Sequence, residues 1–161
     1  MKKSAIISLS IFSIIALALI SFGIYFIASA ESSSNWIKTS AKVVSYNIVS
    51  TYSQRRIKSV YDIQIRYQYS VNNRTYTNQT ISFGKGKTLK GGFNDRESAM
   101  QWLDASKFSM HKIIDVYVDP ENPNKSLVYN GVNFITYIPL MIGLVFLVLI
   151  VFAVKSSHNI N

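Results

Sequence analysis

Two stretches of this chain carry residue types that could do chemistry. One is the corner Val116-Tyr117-Val118-Asp119-Pro120-Glu121-Asn122-Pro123, and the other the basic run Gly84-Lys85-Gly86-Lys87-Thr88-Leu89-Lys90-Gly91-Gly92. In the corner, Asp119, Glu121 and Asn122 offer oxygens to a hard cation, but the alternating ligands of a calcium loop are missing. A structural role asks for less. Pro120 and Pro123 fix φ and withdraw two backbone donors, while Asp119 and Asn122 cap the turns they precede, so a strand ends sharply there. Asp119, Pro120, Asn122 and Pro123 are therefore expected to be a structural motif, with no metal. In the basic run, Gly86-Lys87-Thr88 matches the end of a phosphate-binding loop. The glycine needed five positions before Gly86 is Ile81 here, and the match fails. Lys85, Lys87 and Lys90 remain as contacts for an anionic surface, each worth at most about 1 kcal/mol near charged lipid. A solvated loop is the simpler expectation for them.

Catalysis needs a base or nucleophile in context. The chain has two histidines, His111 and His158, no cysteine and only 8 acidic residues, and neither G-x-S-x-G nor H-E-x-x-H occurs. No enzyme activity and no cofactor are expected. Without cysteine there are no disulfides or thiolate ligands, which leaves the redox compartment open. The 17 basic residues against 8 acidic give a net charge of +9. In a soluble chain that balance would point to nucleic acid, but two long apolar ends point to a membrane, and no nucleic-acid partner is expected.

These ends are the elements that must position everything else. Ala5 to Ala28 runs 24 residues without a charge, and Phe134 to Val154 runs 21, where a helix needs about 20 to cross the hydrocarbon. Tyr137 and Pro139 sit in the first turns of the second run, where a ring can rest at the headgroups and a proline costs least. The N-terminal run competes with a cleaved signal peptide, given Lys2, Lys3 and Ala28-Ser29-Ala30, but it far exceeds an h-region of about 7–15 residues. Neither run carries a charged residue or a histidine, so both read as anchors rather than as a transport path. Gly23 and Gly143 permit close helix approach, without a G-x-x-x-G pattern. Flanking lysines tie as a guide to orientation. The short tail with Lys2 and Lys3 favours both termini in the cytoplasm and the middle of the chain outside a cell membrane crossed twice.

The resulting division is a basic tail at 1–4, a transmembrane helix at 5–29, a β-rich domain at 30–131, a second transmembrane helix at 132–154 and a tail at 155–161. Inside the domain the period is two. Lys42 to Val49 places Val44, Tyr46 and Ile48 on one face, and Tyr61 to Val71 alternates apolar and polar residues without fault. Asn72-Asn73 suits a two-residue type I′ turn. Arg74 to Phe83 returns as the hairpin partner, and its change of parity predicts a bulge between Thr77 and Thr80. Residues 84–92 read as a loop. Asn94 and Glu97 have capping-box spacing for a helix at about 95–106, with Ala99, Trp102 and Leu103 on its core face. Strands follow at Lys112–Asp119 and Ser126–Tyr129. The fold class is a pair of membrane helices around a small β-rich α+β domain, an antiparallel sheet with one covering helix.

The corner, with Ser126-Leu127 and a glycine before the C-terminal span, resembles the domain-of-unknown-function 3592 family. Trp36, Ala41-Lys42-Val43, Tyr67-Gln68-Tyr69-Ser70-Val71 and Tyr76 are similar to that family as well. The resemblance implies a bacterial membrane protein with this layout, and it implies no activity, cofactor or catalytic residue. One departure is His111-Lys112, where such sequences often have a glycine. The expected function is a membrane-tethered interaction or structural module whose partners are the lipid bilayer and another envelope protein. The alternatives are a regulatory or immunity-type subunit, a transporter accessory subunit and, last, a cell-envelope enzyme.

Overall fold

The computed structural model describes residues 3–54 and 58–158, so the two tails expected from the sequence fall partly outside it. Along the chain come α1 (Lys3–Ser32), a 3-10 turn (Ser33–Asn35), β1 (Ile37–Ser53), β2 (Lys58–Val71), β3 (Arg74–Asn78), β4 (Thr88–Phe93), α2 (Arg96–Ala105), β5 (Ile113–Val118), β6 (Ser126–Leu127) and α3 (Phe134–His158). They divide into a helical unit from the two chain ends and a β unit over Ser32–Gly131.

In the helical unit, α1 and α3 are long and apolar enough to cross a membrane. Serines do not spoil α1, because Ser13 and Ser29 donate back to the Leu9 and Tyr25 carbonyls four residues earlier, at 2.9 and 2.8 Å. The two glycines are points of close approach. A methyl on Gly23 would lie 2.6 Å from the Leu140 amide nitrogen, and one on Gly143 would lie 2.7 Å from Ile20 Cγ1. The start of α3 is capped by a residue that the sequence reading passed over. Asn133 Oδ1 accepts from the Ile135 amide at 3.0 Å, and Thr136 Oγ1 returns the contact to the Asn133 amide at 3.3 Å.

The β unit is one antiparallel sheet in the order β3-β2-β1-β5-β6, with β4 also on β2. From Tyr61 to Val71 β2 keeps its odd residues on the core face, and Ile63, Ile65, Tyr67 and Tyr69 are buried. β1 cannot match that over its whole length without a bulge. Val43 pairs with Tyr67 and Ser45 with Arg66, which makes Val44 the extra residue. Before it the odd residues Ala41 and Val43 are buried, and after it the even residue Ile48 is. The single even face expected for Val44, Tyr46 and Ile48 is corrected accordingly, since Val44 belongs to neither run. The fold class is as expected: an antiparallel sheet, a covering helix α2 that buries Ala99 and Leu103, and an apolar helix at each end.

Three other expectations need correction. No bulge lies between Thr77 and Thr80, because β3 ends at Asn78. Asn78 Oδ1 accepts from the Gln79 amide at 2.7 Å and from the amide and hydroxyl of Thr80 at 3.2 and 3.1 Å. That turn sends Ile81 into the core, where its carbonyl accepts from the Val128 and Tyr129 amides at 3.0 and 2.8 Å. Residues 84–92 are not wholly a loop, since Thr88 to Phe93 form β4. The glycines make room there: Asp62 fills the space a side chain on Gly91 would need, and its Oδ1 accepts from the Gly92 amide at 3.0 Å. The cap of α2 is Asp95 rather than Asn94, with Oδ1 accepting from the Ser98 amide at 2.7 Å. The Asn72-Asn73 turn has the expected hand, with φ of 52° and 59°.

Candidate functional site

The corner begins where β5 stops. Asp119 donates its amide to the Lys125 carbonyl at 3.0 Å, and its Oδ1 accepts from the Glu121 and Asn122 amides at 2.9 and 3.3 Å. Asn122 repeats the device three residues on. Its Oδ1 accepts from the Asn124 amide at 3.2 Å, and its carbonyl accepts from the Lys125 amide at 2.8 Å. Each side chain closes the turn it opens, between prolines that have no N–H to satisfy. Among the described residues, no three His, Asp or Glu side chains converge as a metal would require.

What the sequence reading missed is the inner side of this corner. The Tyr69 hydroxyl donates to the Pro123 carbonyl at 2.7 Å, and Asn78 Nδ2 donates to the Asn124 carbonyl at 3.2 Å. The Tyr67 hydroxyl lies 2.8 Å from the Thr80 carbonyl and 3.1 Å from both the carbonyl and Oγ of Ser126. A phenol has one proton. The arrangement that uses each proton once has Tyr67 donating to Thr80 and Ser126 Oγ donating to Tyr67. Burial pushes the Tyr67 phenol well above its usual range, against the opposing pull of the Ser126 contact, and burial likewise raises Tyr69. Both rings therefore stay protonated donors at physiological pH. The signal available in the sequence was tyrosine in two inward slots of an alternating strand, since a buried phenol must find a partner.

The three lysines are placed differently from one another. Lys85 and Lys87 lie on a turn closed by the Ile81 amide on the Gly86 carbonyl at 2.6 Å and the Gly86 amide on the Ser82 carbonyl at 3.1 Å. Lys90 is on β4, with Nζ 4.9 Å from the centre of the Trp102 ring. All three are exposed. Thr88 begins a strand where a phosphate loop would begin a helix, which agrees with the failed motif. On the sheet beside the Val44 bulge, a polar recess of about 110 Å³ is lined by Ser45, Asn47, Gln64, Arg66 and Gln79 among others. It has room for a few waters and is small for an organic ligand, whose pockets start at about 300 Å³. His111, exposed, takes φ of 66°, the left-handed conformation a glycine would hold freely.

No curated protein sequence matches the chain. A family model described as a domain of unknown function (DUF3592) matches residues 39–133, more than half of the chain and the whole corner, and the chain belongs to that family.

Proposed function

We propose that this protein is a two-pass protein of a bacterial cell membrane, in which α1 and α3 tether a non-catalytic interaction or structural module. The observation that carries this reading is the exposure of the end helices. Only 11% and 6% of their most apolar stretches is buried. A core helix of a soluble protein is mostly covered, whereas lipid is the solvent these surfaces need. The lack of Asp, Glu, Lys, Arg and His from Ser4 to Ala30 and from Asn133 to Val154 favours anchors over a conducting path. Within the domain, Asp62, Asp95 and Asp119 each accept backbone amides, and Asp115 pairs with Lys38 at 2.9 Å. Carboxylates used in this way support a binding role over acid–base chemistry.

Lys2 and Lys3, next to the first apolar run, favour that flank inside and the domain outside the cell, facing a partner in the envelope. Alkaline carbonate washing of membranes tests the tether: the full chain stays in the pellet, and release into the supernatant refutes it. Protease shaving of intact cells tests orientation, with cleavage between Ser32 and Gly131 expected and full protection reversing it. Crosslinking in intact membranes tests the module itself. An adduct anchored through Ser32–Gly131 supports it, and a chain that crosslinks to nothing refutes it.

A further inference from the structure

One edge of the sheet lacks the protection the others have. β2 is covered on its outer side by β3 over Tyr67–Val71 and by β4 over Tyr61–Gln64. β5 covers β1 over Ile37–Lys42, and Val43 bonds the backbone of His111 and Lys112. From Ser45 to Ser53, β1 has β2 on one side and, among the described residues, no strand on the other. Nine residues at about 3.4 Å each leave roughly 30 Å of edge with alternate amides and carbonyls turned outward. Sheets normally blunt such edges with charge, proline, irregularity or shortness. β3 is five residues long and carries Arg74, β4 carries Lys90 and two register shifts, and β6 is two residues long. Ser45-Tyr46-Asn47-Ile48-Val49-Ser50-Thr51-Tyr52-Ser53 has no charge, proline or glycine.

We propose that this edge pairs with the same edge of a second copy of the chain, in antiparallel register about a two-fold axis at Val49, joining two sheets into one. The proposal rests on the reading of the domain as a tethered interaction module and names its surface and partner. A two-fold interface must be complementary to itself. This segment is: the axis sets Ser45 against Ser53, Asn47 against Thr51 and Tyr46 against Tyr52, with no charges opposed. Tyr52, 62% exposed, gains an aromatic neighbour across the axis. An uncharged strand offers little to select a foreign partner, whereas copies in one bilayer meet at high local concentration.

Because the chain has no cysteine, single cysteines report without background. In membranes holding the full chain, Val49→Cys under mild oxidation is expected to give a disulfide-linked species of twice the 18.2 kDa chain mass. Paired residues at the axis bring Cα atoms to about 4.5–5.5 Å, within disulfide reach. Thr75→Cys on the β3 edge stays monomeric. A monomeric V49C chain, or equal crosslinking of T75C, overturns the proposal. A V49C adduct of another mass keeps the interaction-module reading and overturns self-pairing. Charge gives a second readout through co-purification of two differently tagged copies. Asn47→Lys with Thr51→Lys loses it, and Asn47→Glu with Thr51→Lys retains it. Any other pattern overturns the pairing.

Discussion

Replacing Tyr67 with phenylalanine removes one oxygen from a closed part of the core, and the structure indicates what that oxygen supports. The Thr80 carbonyl loses its 2.8 Å donor, whereas the Ser126 carbonyl keeps Asn78 Nδ2 at 3.4 Å. The Thr80 carbonyl is only partly buried, but the fully buried Ser126 hydroxyl also loses its partner. A buried polar group left unpaired costs about 1–3 kcal/mol, which is the expected loss for Tyr67→Phe. Tyr69→Phe loses one bond to the Pro123 carbonyl at a partly buried site where water can substitute, so about 1 kcal/mol or less is expected. Urea unfolding of the full chain in non-ionic detergent measures both. Trp36 and Trp102 both lie in the β unit, so tryptophan fluorescence reports that unit alone. The urea dependence should keep its slope while the midpoint falls. The mutation should also change the alkaline limb. Burial raises the Tyr67 phenol above 10.0, so the folded state keeps a proton that the unfolded chain releases. Its contribution is therefore fully present below pH 10 and is lost as pH rises beyond it, at about 1.4 kcal/mol per pH unit for one proton. Tyr67→Phe should flatten that fall. A Y67F chain within about 0.5 kcal/mol of the parent, or a costlier Y69F, would refute a dry, load-sharing phenol.

Other consequences follow from single positions. His111→Gly should stabilise the chain by up to about 1 kcal/mol, because glycine holds φ of 66° freely and gives back only part of the gain in unfolded-state entropy; a lower urea midpoint contradicts this. Gly91→Ala should cost about 1–3 kcal/mol by displacing Asp62 from the Gly92 amide. Adding Asp62→Ala should cost less than the sum of the two, whereas additive losses would mean that the groups do not meet. Gly23→Leu should lower the melting temperature in detergent, since its side chain meets Leu140 backbone rather than a movable group, and Ser21→Leu, exposed on the same helix, should not. The Asp95 carboxyl is held below its usual range first by the Ser98 amide, so its support of α2 is present above pH 3.8 and lost as pH falls through the depressed value. Amide exchange at Ser98 should reveal that acid limb in the parent and not in Asp95→Asn.

The residues that were legible from sequence are those whose behaviour depends on near neighbours. An uncharged run long enough to cross a bilayer reads as such without any partner, as the stretches in α1 and α3 do. The alternation of Tyr61–Val71 and the Asn72-Asn73 turn are equally local, because side-chain period and positive φ are properties of the strand and turn themselves. The corner was legible in its punctuation, two prolines with Asp119 and Asn122 before the turns they close.

What only the tertiary structure decided has distant causes. Gly91 and Gly92 look like a loop until Asp62, thirty residues earlier, is seen to occupy the space beside them. The bulge falls at Val44 because β2 presents an unbroken face that β1 must follow, and nothing within β1 announces it. The partners of the corner's tyrosines lie 54 and 59 residues away, joined by strand order rather than by spacing. The open edge of β1 is likewise a matter of where β5 begins, with Ile113 opposite Lys42. Sequence by itself determined two lipid-seeking helices around a small antiparallel sheet, since hydrophobic period and length are written residue by residue. Which polar groups meet, which strand a pair of glycines admits and which edge is left unpaired were settled by packing, because each depends on a residue far along the chain.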